Sequence, residues 1–284
     1  MGIEEKLEKL KNKVDANLKS ALEGVSPRMA RSMKYSVLSG GKRFRPLLLI
    51  TTGEMFECPH KQTLPFACAL EMIHNYSLIH DDLPAMDNDD FRRGKPSCHK
   101  AFGEDVAILA GDALLTFAFE IMSRALLENF SQNKDILERG VQVIEEMSRA
   151  AGAGGMIEGQ YLDIQAAGKQ ISEKDYTRLT LKKTASLLIV AVRAGALLGG
   201  AEESELKTLT LYSRHAGLAF QIRDDILDYR QDYGDAPSAV ALEGVESAKK
   251  RLNRYVFSAV KELEKLPQDT HALRYLALKL LEVS

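Results

Sequence analysis

Apolar residues recur at spacings of three and four along most of the chain, as in Ile108, Leu109, Leu115, Phe119 and Met122, the stripe that lets an α-helix bury one face. No segment sustains the two-residue alternation of a half-buried strand, so the pattern predicts no strands. Residues 97–236 contain no proline and are rich in Ala, Leu, Glu and Lys, which suits a succession of helices. The expected helices cover residues 4–22, 28–39, 44–56, 61–82, 104–128, 134–151, 173–199, 204–230, 244–263 and 269–282. Four glycines within Gly152–Gly159 mark the expected break, and residues 83–98 the longest polar connection. The pattern predicts an all-α, single-domain bundle of about ten or more helices over residues 1–284.

Composition narrows the partners. With 45% apolar and 27% charged residues the chain can build one large core. Its 38 basic and 40 acidic residues leave a net charge of -2, which gives no basis for expecting nucleic acid or an anionic membrane as partner. The apolar run Leu187–Val192 stops at Arg193, well short of the roughly 18 residues of a spanning helix, so no membrane insertion is expected. Met1 to Lys11 alternates acid and base without an apolar signal region, and Lys6 stands where myristoylation needs Ser or Thr. The expected location is the cytoplasm. Cys58, Cys68 and Cys98 are odd in number and widely spaced, so they are read as reduced thiols rather than a disulfide frame or zinc site.

Two carboxylate clusters change the picture. Asp81, Asp82, Asp87, Asp89 and Asp90 follow the apolar helix that ends at Ile79-His80. Crowded carboxylates raise one another's pKa unless a cation offsets them, and a hard divalent ion with oxygen ligands does so. Taken alone, the cluster is nearly as well read as a solvated acidic turn. Asp224, Asp225 and Asp228 form a second cluster on an expected helix, where positions 224 and 228 share a face at a repulsive spacing. Phe220, Ile226 and Leu227 place that segment partly in the core. Two such clusters call for magnesium and a diphosphate, because Mg²⁺ takes few protein ligands and completes its shell with water and phosphate oxygens; Mn²⁺ accepts similar sites.

Cations accompany the clusters. Arg92 and Arg93 follow the first, Lys182-Lys183-Thr184 lies mid-chain, and Gly40-Gly41-Lys42-Arg43-Phe44-Arg45-Pro46 precedes an expected helix. Singly, Lys42, Arg45 and Lys183 read as a solvated face. Together they read as phosphate contacts, with Gly41 letting the backbone approach an anion at a helix N-terminus.

From about residue 34 to Tyr229 the chain resembles the trans-type polyprenyl diphosphate synthases. The resemblance rests on Gly40 to Pro46, on His80 to Asp87 with Arg92-Arg93-Gly94-Lys95-Pro96, on Ala110-Gly111-Asp112-Ala113-Leu114, and on Asp224 to Asp228, all in family order. Gly155-Met156-Ile157-Glu158-Gly159-Gln160 with Asp163 also looks like the family pattern near the reacting end. The resemblance implies helices around a deep central cavity, a homodimer, several Mg²⁺ ions per site, and condensation of isopentenyl diphosphate with dimethylallyl or geranyl diphosphate. It further implies that Lys42, Arg45, His74 and Arg93 hold the isopentenyl diphosphate, while Arg92, Lys183, Thr184 and Gln221 serve the allylic side. Asp81, Asp87 and Asp224 would be the principal metal ligands, and Asp82, Asp225 and Asp228 would act directly or through water. The Thr184 oxygen, the Lys183 carbonyl and the Gln221 amide would steady a carbocation.

Tyr76, five residues before Asp81, resembles the floor that stops chain growth in bacterial farnesyl diphosphate synthases, with Ser77 a small residue beside it. Farnesyl diphosphate is therefore the expected product and geranylgeranyl diphosphate the alternative. One departure stands out: after Asp228 the family's Gly- and Lys-rich loop is replaced by Tyr229-Arg230-Gln231-Asp232-Tyr233-Gly234-Asp235-Ala236-Pro237. Either a lid element is lacking or a stretch is missing from the sequence, and the second is favoured. Three other readings remain: a terpene cyclase, which would leave the isopentenyl-binding set without a task; a non-catalytic partner subunit, which would have eroded aspartates; and a helical metal phosphohydrolase. For that last reading, His60, His99, His215 and His271 show no paired ligand spacing, and His80 is expected to be a supporting or core histidine.

Overall fold

The computed structural model describes residues 2–229 and 237–283. The chain divides into two compact units, Met1–Ile50 with Pro59–Ile144, and Thr51–Cys58 with Glu145–Ser284.

The first unit begins with α1 (Ile3–Ala21), whose buried Leu7, Leu10, Val14 and Leu18 recur every three or four residues. Val14 and Leu18 are fully buried, contributing about 1.5–3 kcal/mol each. α2 (Pro27–Val37) starts with proline at its first turn, where the missing N–H costs nothing. α3 (Phe44–Met55), which passes into the second unit at Thr51, and α4 (His60–Asp81) follow. α4 is buried on nearly every side, including Phe66, Leu70, Met72, Ile73 and Ile79, and packs against α1, α2 and the long helix α6 (Glu104–Phe130). α4 thus carries its last residue, Asp81, out of the core on a rigid stem.

Between them the chain forms an antiparallel pair, β1 (Phe91–Arg92) and β2 (Lys95–Pro96), in the register Phe91↔Pro96 and Arg92↔Lys95. This corrects the expectation of no strands; two-residue strands are too short to show alternation. A short α5 (Cys98–Phe102) leads into α6. By length and composition alone α6 is long and apolar enough to cross a membrane, with 39% of its most apolar window buried, a longer apolar stretch than Leu187–Val192. α7 (Lys134–Ala151) contributes residues to both units.

The second unit contains α8 (Met156–Ala166), α9 (Glu173–Thr180), a π-helical turn at Leu181–Ala185, and α10 (Ser186–Gly199). The expected single helix over 173–199 is therefore interrupted, and the expected break at Gly152–Gly159 ends early, because α8 starts at Met156. α10 is almost wholly buried, from Leu187 to Leu198. α11 (Glu203–Tyr229) packs on α10 and on α13 (Val245–Leu263), and α12 (Ala239–Glu243) packs on α11 and α13. α14 (His271–Leu278) closes the unit, and Tyr212 Oη donates to Leu273 O at 2.9 Å. Ser172 and Ser238 cap α9 and α12 through N–H bonds of 3.1 Å.

Candidate functional site

In the first unit the turn before α3 gathers positive charge. Gly40 and Gly41 have φ of +95° and +121°, and Arg43 has +50°, a region L-residues enter at a cost of order 1–3 kcal/mol. A Cβ on Gly41 would stand 3.0 Å from Arg93 Cζ, so glycine there admits the guanidinium. Arg93 Nη1 donates to Gly40 O at 2.5 Å. Lys42 is exposed and Arg45 buried. His74 feels this charge: burial, then Arg45, Arg93, Arg43 and Arg92, hold its imidazole well below the ordinary 6.5. Burial first, and Arg43 and Arg92 with it, also lower the Arg93 pKa, while Glu71 raises it. The arginines acting on His74 make this a region where an anion would be stabilised. The structure thus brings Gly41, Arg45, His74 and Arg93 into one electropositive region, with Lys42 on its turn.

The first aspartates divide by role. Asp81 ends α4 and Asp82 caps it. Asp82 is 2% exposed and accepts from Arg92 Nε at 2.9 Å and Nη2 at 2.5 Å, while Arg92 Nη2 also reaches Asp89 at 2.8 Å. Burial raises the Asp82 pKa, although the arginine opposes it. Asp82 therefore orients Arg92. The Asp87 N–H donates to Asp81 O at 2.8 Å, which folds the turn so that Asp87 returns beside Asp81. Lys100 pairs with Asp90 at 2.8 Å.

Below Asp81 on α4, Tyr76 is 6% exposed, its hydroxyl buried without a hydrogen-bond partner. Its ring meets His80 edge-on at 5.8 Å, and burial, with Asp81 second, pushes its pKa up to about 12. Ser77 donates to His74 O at 2.9 Å. His80 lies 3.1 Å from Ile108 O, where a Cβ on Gly111 would fall 2.1 Å from its Nε2; this is the packed histidine expected. The glycine in Ala110-Gly111-Asp112 is thereby explained.

In the second unit a hydrogen-bond network joins four helical segments, α9, the π turn, α11 and α12. Thr184 Oγ1 donates to Gln221 Oε1 at 2.5 Å, and Gln221 Nε2 donates to Asp225 Oδ1 at 2.8 Å. Tyr176 Oη and the Ala239 N–H both donate to Asp225 Oδ2 at 2.6 Å. Asp225 is 7% exposed, and burial pushes its carboxyl above the usual range despite these donors. Arg251 lies 5.2 Å over the Tyr176 ring. Lys183 pairs with Asp163. Asp224, beside Arg223 at 3.2 Å, and Asp228 lie one turn apart on α11. Asp163, Lys183, Gln221, Asp225 and Asp228 line a cavity of about 300 Å³.

Two glycines bring the π turn close to its neighbours. A Cβ on Gly159 would fall 2.1 Å from Lys183 N, and one on Gly217 2.5 Å from Ala185 Cβ. π turns cluster at functional sites, and this one carries Lys183 and Thr184. Glu158, held low in pKa by Lys182 through a hydrogen bond, ties α8 to the same turn at 2.6 Å.

Among the described residues no three or more His, Cys, Asp or Glu are grouped as a self-sufficient metal site. The donor sets still fit a hard divalent cation that takes one or two carboxylates and finishes its shell with water and phosphate. Residues 230–236, where the expected loop departure falls, lie outside the described residues. Asp15, Glu71 and Tyr176 carry no local signal in the sequence, because their partners Arg43 and Asp225 lie far along the chain.

The family model for polyprenyl synthetase matches residues 26–236. A farnesyl diphosphate synthase of Geobacillus stearothermophilus is 39% identical, over 97% of this chain and 96% of that protein. A chloroplastic geranylgeranyl pyrophosphate synthase of Catharanthus roseus is 45% identical over 76% of this chain and 60% of its own length. Among solved structures, a geranyltransferase from Legionella pneumophila superposes with a TM-score of 0.89 at 32% identity, covering 98% of this chain and 96% of the other.

Proposed function

Because the chain belongs to the polyprenyl synthetase family, we propose that it is a farnesyl diphosphate synthase, joining isopentenyl diphosphate to dimethylallyl or geranyl diphosphate. The observation that carries the reading is the glycine turn at 40–43 closed against Arg93 beside Arg45 and His74, an electropositive subsite in a chain that also holds two aspartate clusters. Both compact units serve one synthase domain over residues 1–284.

In this reading Lys42, Arg45, His74 and Arg93 hold the isopentenyl diphosphate, with the Gly41 backbone close to it. Arg92, Lys183, Thr184 and Gln221 hold the allylic partner. Asp81, Asp87 and Asp224 would hold magnesium, with Asp82, Asp225 and Asp228 supporting directly or through water, and the ion would supply charge neutralisation for the leaving diphosphate; manganese would suit the same oxygen donors. The allylic C–O bond breaks with its electron pair going to diphosphate, leaving a resonance-stabilised cation. The isopentenyl double bond attacks that cation, and the released diphosphate removes a proton to restore the alkene. The Thr184 oxygen, the Lys183 carbonyl and the Gln221 amide steady the cation without trapping it covalently.

Tyr76 is the floor on which the growing tail stops, with Ser77 beside it. A second reading, a geranylgeranyl product, is favoured by the Catharanthus relative and by the small Ser77. The working form is a homodimer: Ile108, Leu109 and Leu127 stand 45%, 54% and 67% exposed on α6, an apolar face suited to a second copy.

Mass spectrometry of products from isopentenyl and dimethylallyl diphosphates with Mg²⁺ tests the reading. A farnesyl product, abolished by chelation and in Asp81→Ala, is expected. A C20 product selects the second reading, and no condensation by the wild type overturns both.

A further inference from the structure

We propose that Arg43 is a positioning residue for the isopentenyl diphosphate subsite: by anchoring the 39–43 turn on α1 and α4 it fixes where Lys42 and Arg45 present their charge. The inference rests on the synthase reading above. Arg43 sits inside the cationic motif, yet it is only 2% exposed. Its Nε donates to Asp15 Oδ1 at 2.7 Å, its Nη1 to Glu71 Oε1 at 2.8 Å, and its Nη2 to Val37 O at 2.7 Å. Every guanidinium nitrogen is thus engaged by the protein. At 2% exposure the guanidinium offers a diphosphate almost no surface, and drawing it out would break its pairs with Asp15 and Glu71, which is strongly unfavourable.

The turn needs such an anchor. Gly40, Gly41 and Arg43 all have positive φ, a run that local preference does not hold in place. Its position is determined from two sides. Arg43 reaches inward to α1 and α4, where Glu71 is itself fixed by Asn75 Nδ2 at 3.2 Å. Arg93 reaches across to Gly40 O and, at 3.5 Å, to Ser39 Oγ. Lys42 lies between these supports and Arg45 at the start of α3. The planar fork of arginine can meet three acceptors in fixed directions, which lysine cannot.

The partners of Arg43 give a test whose sign separates geometry from charge. Asp15→Asn and Glu71→Gln each remove a negative charge near an anion subsite, so a purely electrostatic role predicts a lower KM for isopentenyl diphosphate. Positioning predicts the reverse: KM for isopentenyl diphosphate rises severalfold in both and about tenfold in Arg43→Met, while KM for the allylic substrate stays within about twofold. Asp15→Asn alters only the half-exposed partner, so it remains informative should Arg43→Met fail to fold. An unchanged or lowered KM in the folded variants overturns the proposal, as does equal weakening of both substrates. Failure of the wild type to condense at all instead overturns the synthase reading.

Discussion

Tyr176 Oη and Asp225 Oδ2 lie 2.6 Å apart, joining α9 to α11 through a buried hydrogen bond. Burial first, and the neighbouring carboxylate second, push the Tyr176 hydroxyl far above its ordinary pKa, so it remains a donor throughout the working pH range. Tyr176→Phe deletes that donor while keeping the ring beneath Arg251. Urea unfolding is expected to show a loss of about 1–3 kcal/mol, with a raised KM for the allylic substrate. Unaltered stability and kinetics would show that the Ala239 N–H and Gln221 suffice for Asp225.

His74 gives the protein an acid-sensitive term. Its folded pKa is lowered by burial and by Arg45, Arg93, Arg43 and Arg92, so above the ordinary 6.5 it is neutral in both folded and unfolded chains. As pH falls below 6.5 the unfolded chain takes up a proton that the folded one refuses. Stability is then lost by at most about 1.4 kcal/mol per pH unit from this group. His74→Gln should remove this component between pH 6.5 and the lowered folded value, seen as a flatter difference curve in urea titrations. Identical slopes for the two proteins would contradict a lowered His74 pKa in the folded chain.

Gly159→Ala would place a Cβ 2.1 Å from Lys183 N, a backbone atom that cannot rotate away. α8 and the π turn must separate. Overpacking of this kind costs about 1–3 kcal/mol, and a shift of the reacting groups lowers kcat by on the order of 100-fold. Steady-state assays alongside thermal melts check this; a fully active, equally stable variant would show that the turn tolerates displacement.

Tyr76 separates size from polarity. Its hydroxyl is buried without a partner, so Tyr76→Phe should keep the product length and stabilise the fold by up to about 1 kcal/mol. Tyr76→Ala should lengthen the product and destabilise by about 3–5 kcal/mol, as for other large core truncations. Chain length read by mass spectrometry decides the point, since an unlengthened product from a folded Ala variant removes Tyr76 as the floor.

The helical periodicity anticipated the long elements closely: residues 61–82 against His60–Asp81, and 104–128 against Glu104–Phe130. Such helices bury strong stripes, and their ends are marked by local chemistry. The π turn at Leu181–Ala185 was illegible because the change in hydrogen-bond ladder leaves the apolar pattern of 173–199 intact. α8 was missed because Gly159 reads as a breaker, whereas it serves close approach to Lys183. The aspartates were visible as clusters, but nothing in an Asp-Asp pair says which carboxylate turns inward. Asp82 faces Arg92 and Asp225 faces Tyr176, both supplied from elsewhere in the chain.

The Thr184–Gln221–Asp225 chain has a single direction. Each donor runs toward the carboxylate: the hydroxyl of Thr184 gives its only proton to Gln221 Oε1, and the amide then gives one to Asp225. Flipping the amide would set its NH₂ against Thr184 and its oxygen against a carboxylate. The negative end at Asp225 therefore propagates outward as a ratchet of aligned dipoles. It leaves the Thr184 oxygen proton-poor and electron-rich, a surface that welcomes a transient positive guest and repels a negative one.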